Sequence, residues 1–278
     1  MLLQTKHSII VGNCVYSLKT VIAMSIKSMP VWKWVLLLIL SFVLAFIMYG
    51  LAQFATDLAP AGWIRWIAFV AVSVIMILLY GLFVKWFEKH KAKDIPLRKL
   101  AGDTAKGFGI GMLFFFLVVG VMMAAGLYKI TGFGTDRPGA IVSAFFMFTM
   151  VAVAEEILFR GVLFRWIDEK WGFLAALLVS SLLFGVMHIA QPNATWWSSL
   201  AIAIEAGLLL GAAYKWSGTL WLPIGIHWAW NFFQGNIFGF AVSGSDSGAS
   251  LIQSSVAGPD ILTGGPFGAE ASIITVMF

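Results

Sequence analysis

The chain has 278 residues, of which 60% are hydrophobic and only 11% charged, and its mean hydropathy is +0.92. A soluble domain is about a quarter charged, so the composition excludes a soluble globule and predicts a polytopic membrane protein, an all-α bundle of transmembrane helices. The net charge of +5 is no nucleic-acid signal, because the basic residues fall in short loops between apolar runs, where they set orientation.

Residues 1–30 read as a basic N-terminal tail carrying Lys6, Lys19 and Lys27, with apolar runs too short and broken for a signal peptide. The single cysteine, Cys14, lies in this tail and rules out an internal disulfide framework. Seven runs then approach or exceed the roughly 20 residues that a bilayer core requires. They cover residues 31–52, 63–84, 108–128, 139–164, 172–190, 197–214 and 219–240. The segment 31–130 therefore holds the N-terminal transmembrane helices. The stretch 241–268 is rich in Gly and Ser and is expected to be a loop. The closing "ASIITVMF" begins another apolar run and stops, so the bundle has seven to eight spans. The basic loop 85–106, "KWFEKHKAKDIPLRKLAGDTAK", and the basic tail place both on the cytoplasmic side of a multi-pass protein of the plasma or inner membrane.

Away from the run ends, where Lys33 and Arg65 lie, few ionisable residues fall inside these runs: Glu155, Glu156, Arg160, His188, Glu205 and His227, with Asn231 beside the last. A charge at membrane depth costs at least about 2.5–3.5 kcal/mol, so such groups are paired or functional. Glu156 and Arg160 are four apart, share a helix face and are expected to form a structural ion pair. Glu155 points about 100° away, so the same arginine does not readily serve both glutamates. His227 and Asn231 in "HWAWN", like Phe184 and His188 in "FGVMH", are again four apart. From the run ends, Glu155, His188 and His227 lie about 14–18, 24 and 12 Å from the inner face, compatible with one wet cavity, with His188 the poorest match. Glu205, in "AIAIEAGLLLGAAY", reads equally as a residue lining a path or as a packing residue near the Gly207 and Gly211 close-contact pair.

Taken in order, "EEILFR", "FGVMH" and "HWAWN" fit Glu-Glu-x-x-x-Arg, Phe-x-x-x-His and His-x-x-x-Asn. Over residues 139–235 the sequence resembles the CPBP family of intramembrane proteases, which includes the type II CAAX prenyl endopeptidases and the bacterial Abi-type proteins. The resemblance implies peptide-bond hydrolysis in a membrane-associated or lipidated protein, as in CAAX-box processing, with membrane lipid as the other partner. It also implies a metalloprotease-like site.

Hydrolysis within a membrane needs water, a base and oxyanion donors. Within the apolar runs no serine stands out beside a histidine, and Cys14 is in the tail, so direct attack by activated water fits better than a covalent intermediate. Glu155, helped by His188, is expected to take the proton of the attacking water. His227 and Asn231 are expected to polarise the scissile carbonyl. Glu156 is expected to hold the 139–164 helix in place through Arg160, and to touch the site as well. Glu155, His188 and His227 also form a candidate ligand set for a divalent metal such as zinc, although a metal-free glutamate is chemically sufficient. A proton- or cation-coupled transporter using the same groups is the competing reading, and a catalytically silent scaffold is a third. The absence of an evident repeat counts against a transporter.

Overall fold

A computed structural model of the chain describes residues 8–11, 14–17 and 29–278. Most of the basic tail lies outside the described residues; its described parts are the antiparallel pair β1 (Ser8–Val11) and β2 (Cys14–Ser17). The chain then runs through α1 (Val31–Leu58), α2 (Trp63–Phe87) and α3 (Leu97–Ala124). After strand β3 (Tyr128–Phe133) come α4 (Pro138–Trp171), α5 (Phe173–Met187) and α6 (Trp196–Ser217). Helix α7 (Trp221–Phe232) continues as a π-helical turn over Phe233–Ile237. Strand β4 (Ile252–Val256) and two short helices, α8 (Asp260–Thr263) and α9 (Ile273–Val276), close the chain.

The architecture is a helical membrane bundle. Among the described residues, five helical stretches are long and apolar enough to cross a bilayer. Their outward faces keep large apolar side chains exposed, Ile67 and Leu78 on α2 and Leu174 and Leu178 on α5 among them, as a lipid-facing surface requires. Helix α7 differs: it is buried on nearly every face. A helix buried all round belongs inside the molecule, and α3, α4 and α6 pack against it.

Glycine lets the backbones close on α7. A Cβ on Gly225 would stand 2.3 Å from the carbonyl oxygen of Thr104 on α3, and one on Gly107 would stand 2.2 Å from that of Leu222. In lipid, where no hydrophobic force drives helices together, such close approach supplies the packing energy. Gly225→Ala is therefore expected to cost about 1–3 kcal/mol by overpacking. Gly120→Ala on α3 meets nothing within 4 Å and is expected to be neutral, with thermal unfolding of the two purified variants as the check.

Three expectations from the sequence are corrected here. The span expected at 108–128 starts earlier, because α3 already begins at Leu97 inside the basic stretch. That stretch is also anchored: the Arg165 guanidinium donates to Glu88 Oε1 at 2.6 Å, and the hydroxyls of Tyr80 and Tyr214 donate to Asp94 Oδ2 at 2.6 and 3.0 Å. The Gly/Ser-rich 241–268 is not an open loop. Its β4 pairs antiparallel with β3 across a bulge at Ile130/Gly132, and the Asn236 amide ties down the carbonyls of Ser247 and Ala249. The last apolar run is not a span either: it folds back as α9, with Ser272 and Thr275 buried.

Candidate active site

Helix α4 carries the two glutamates at the point where its winding changes. Residues up to Glu156 are α-helical, and Ile157–Phe164 are π-helical before the α-helix resumes at Arg165. The π geometry bonds i to i+5 and is often found at functional sites. Similar turns occupy Ala203–Leu208 in α6, which contains Glu205, and Phe233–Ile237 after Asn231. In each, a backbone carbonyl accepts from a side chain. Gly161 O takes Arg165 Nε at 2.7 Å and Tyr80 OH at 3.0 Å, Gly207 O takes Arg160 Nη2 at 3.2 Å, and Gly235 O takes Ser247 Oγ at 3.0 Å.

The Glu156–Arg160 pair forms as the spacing predicts. Both side chains are fully buried, and Arg160 Nη1 donates to Glu156 Oε1 at 2.9 Å. The guanidinium also lies 4.7 Å over the Phe184 ring, a cation–π contact in a dry setting. Glu156 does more than neutralise the arginine. The same Oε1 is 2.9 Å from His227 Nδ1, and since a carboxylate only accepts, Nδ1 carries the proton. That bond fixes the ring and directs Nε2 toward Glu155, whose Oε2 lies 3.9 Å away.

Glu155 Oε2 is buried and has no hydrogen-bond partner. A gap of 3.9 Å between two polar atoms is too long for a direct bond and suits a bridging oxygen. His188 terminates α5 and opens a short 3₁₀ turn. Its Nδ1 is committed to Phe184 O at 2.7 Å, and no hydrogen bond or ion pair among the described residues joins it to Glu155. The rings of His188 and His227 instead flank Phe184, at centroid distances of 4.8 and 6.1 Å.

His188, His227 and Asn231 line one cavity of about 30 Å³, together with Glu205, Ser243 and Glu270. That volume admits one or two waters. Asn231 is buried, and among the described residues its amide has no hydrogen-bond partner, so its N–H groups remain available to an oxyanion. Among the described residues no three His, Cys, Asp or Glu side chains stand as a metal-holding group. Ligands on one tetrahedral zinc lie roughly 3.3 Å apart, closer than Glu155 Oε2 and His227 Nε2. As placed, Glu155, His188 and His227 do not form a zinc site.

Three lining or supporting residues escape the sequence motifs. Glu270 is buried; its Oε2 accepts from Gln234 Nε2 at 2.9 Å, and its Oε1 accepts from the Ser243 backbone N–H. Gln234 also accepts from Trp230 Nε1 at 2.9 Å and donates to Ala241 O at 2.7 Å. The legible signal was a carboxylate alone in the apolar "FGAEASII", the same signal that picks out Glu155.

Residues 137–233 match the family model described as Type II CAAX prenyl endopeptidase Rce1-like. Two proteins of Bacillus subtilis (strain 168) are similar. One, named "Putative membrane peptidase YdiL", is 24% identical over 183 residues, 60% of this chain and 68% of that protein. The other, named "Uncharacterized protein YpbD", is 32% identical over 158 residues, 57% of this chain and 60% of that protein. The chain thus spans roughly two thirds of the length of the one and 60% of the other. No solved structure matches the chain. The family match and the three polar motifs fall on the same helices, α4 to α7, and over residues 137–233 this chain is similar to the Rce1-like type II CAAX prenyl endopeptidases.

Proposed function

We propose that this chain is an intramembrane endopeptidase that hydrolyses a peptide bond of a membrane-associated protein or peptide by direct attack of water. The observation that carries the reading is Glu155 Oε2, buried, without a partner and 3.9 Å from His227 Nε2. An oxygen seated between them contacts a base on one side and an imidazole on the other.

Water gives its proton to Glu155 as its oxygen bonds to the scissile carbonyl carbon. The carbonyl electrons move onto oxygen, where the Asn231 amide and a protonated His227 Nε2 donate to the oxyanion. With both glutamates ionised and Arg160 and His227 both cationic, the four charges cancel, which a low-dielectric site requires. Glu156 is the positioning residue: it sets the His227 ring and is itself held by Arg160. His188 borders the space where the substrate backbone would lie. A zinc ion is not needed for any of these steps, and cleavage by purified protein is expected to survive exhaustive dialysis against a chelator. Loss of activity that returns with added Zn²⁺ would overturn that assignment.

The test uses purified protein in detergent or liposomes with membrane-associated reporter peptides. Expected is cleavage by the natural chain and none by Glu155→Ala. Proteomic comparison of membranes holding one or the other then identifies the substrate by its uncleaved form. Peptides that are never cleaved, together with uptake driven by a proton gradient, would replace this reading with transport.

A further inference from the structure

Glu155, His227 and Asn231 leave one requirement of hydrolysis unmet. The leaving nitrogen must be protonated as the C–N bond breaks, since an amide anion is too poor a leaving group. The family-matching segment ends at residue 233, but the cavity wall does not. Glu270, from the folded-back C-terminal segment, and Glu205, from the π-helical turn of α6, face the same space as His188, His227 and Asn231. The space is about 30 Å³, so whatever occupies it touches groups on both walls.

The two carboxyls are held differently. Both oxygens of Glu270 accept hydrogen bonds, one from the Gln234 amide and one from the Ser243 backbone. The Gln234 amide is itself fixed by Trp230 and Ala241. Glu205, half-buried, makes no hydrogen bond or ion pair among the described residues, and no lysine or arginine lines the cavity. Donors favour an ionised carboxylate, and two carboxyls in one poorly solvated site do not both ionise. The proton of such a pair therefore resides on the partnerless member.

We propose that Glu205 and Glu270 form a carboxyl pair sharing one proton, and that Glu205 delivers it to the leaving nitrogen while Glu270 is the positioning residue that keeps it there. This rests on the endopeptidase reading above. In balance, Glu155 gains the proton of water, the C–O bond forms, the C–N bond breaks and nitrogen gains the Glu205 proton. Products leave as acid and amine, and the proton on Glu155 returns to the pair through cavity water. The groups facing the pair are His188 from the end of α5 and His227 from α7. Burial pushes the Glu270 carboxyl up from 4.5 to about 7 despite the Ser243 and Gln234 donors. A carboxyl whose value is raised on folding stabilises the fold below 4.5, and that contribution is lost as pH rises through about 7.

The experiment compares an amide reporter with its ester or thioester analogue, whose leaving group needs no proton. Glu205→Gln is the first variant because it breaks no hydrogen bond in the protein; Glu270→Gln is the second. Expected is a fall of about 100-fold in amide kcat, with ester turnover within about 3-fold of the natural protein and the alkaline limb of kcat/KM lost. A parallel fall on both substrates, or unchanged amide turnover, overturns the proposal. Infrared spectroscopy reads the proton without turnover: a protonated-carboxyl band at neutral pH, absent from the Glu205→Gln/Glu270→Gln protein, is expected, and no such band in the natural protein overturns it. If the natural chain cleaves neither substrate, the endopeptidase reading fails instead, while the infrared band still decides whether the pair exists.

Discussion

Glu155→Gln is expected to reduce kcat for peptide cleavage by at least about 10²–10⁴, the range for loss of a general base, with the unfolding temperature nearly unchanged. The substitution keeps shape and volume, and the buried Oε2 it alters has no bond in the protein to lose. An amide cannot accept the proton of the attacking water, so the loss appears in kcat and leaves KM nearly constant. A kcat within a few-fold of the natural protein, on a correctly folded sample, would remove Glu155 from the base role and send the search to His188.

Arg160→Met is expected to destabilise the protein by about 3–5 kcal/mol, the usual consequence of leaving one charge of a buried pair alone. Glu156 would then be a fully buried carboxylate with only the His227 Nδ1–H as partner. Replacing both, as Glu156→Leu with Arg160→Met, is expected to recover much of that stability, because paired apolar substitutes of similar size tolerate burial. Activity is not expected to return, since His227 loses the acceptor that fixes its ring. Denaturant unfolding of the single and double variants, with kcat measured on each, separates the two contributions. A double variant that regains activity would show that the carboxylate serves the arginine alone.

Helical spacing made a good part of the site legible. Four-residue intervals in "EEILFR" and "HWAWN" put Arg160 on Glu156 and Asn231 on the face of His227. What spacing within one helix does not report is contact between helices. The bond from Glu156 to His227 joins residues 71 apart and depends on α7 sinking to the centre through Gly107, Gly111 and Gly225. His188 shows a second limit. The span expected at 172–190 is present at Phe173–Ala190, but apolarity does not report that its winding changes from α to 3₁₀ after Met187, where His188 meets the cavity. The third is Glu270. Gly and Ser between 241 and 268 signal turns, and a string of turns reveals nothing of the β3–β4 pairing that draws the end of the chain back over the site.

The π-helical turns bring a consequence for the length of the chain itself. Each holds more residues than the α-helix around it needs, and the carbonyls that bond Arg165, Arg160 and Ser247 belong to those turns. Deleting one residue between Ile157 and Phe164 would remove the surplus and restore an ordinary winding with the flanking register kept, whereas the same deletion in an α-helical stretch would swing every side chain beyond the cut by about 100°. Helices that otherwise tolerate many substitutions on their outer faces are thus intolerant of a change in residue count in their α-helical stretches, and a single-codon deletion scan across 138–237 should show inactivation interrupted by three narrow bands in which register is kept and only the side-chain acceptor is lost.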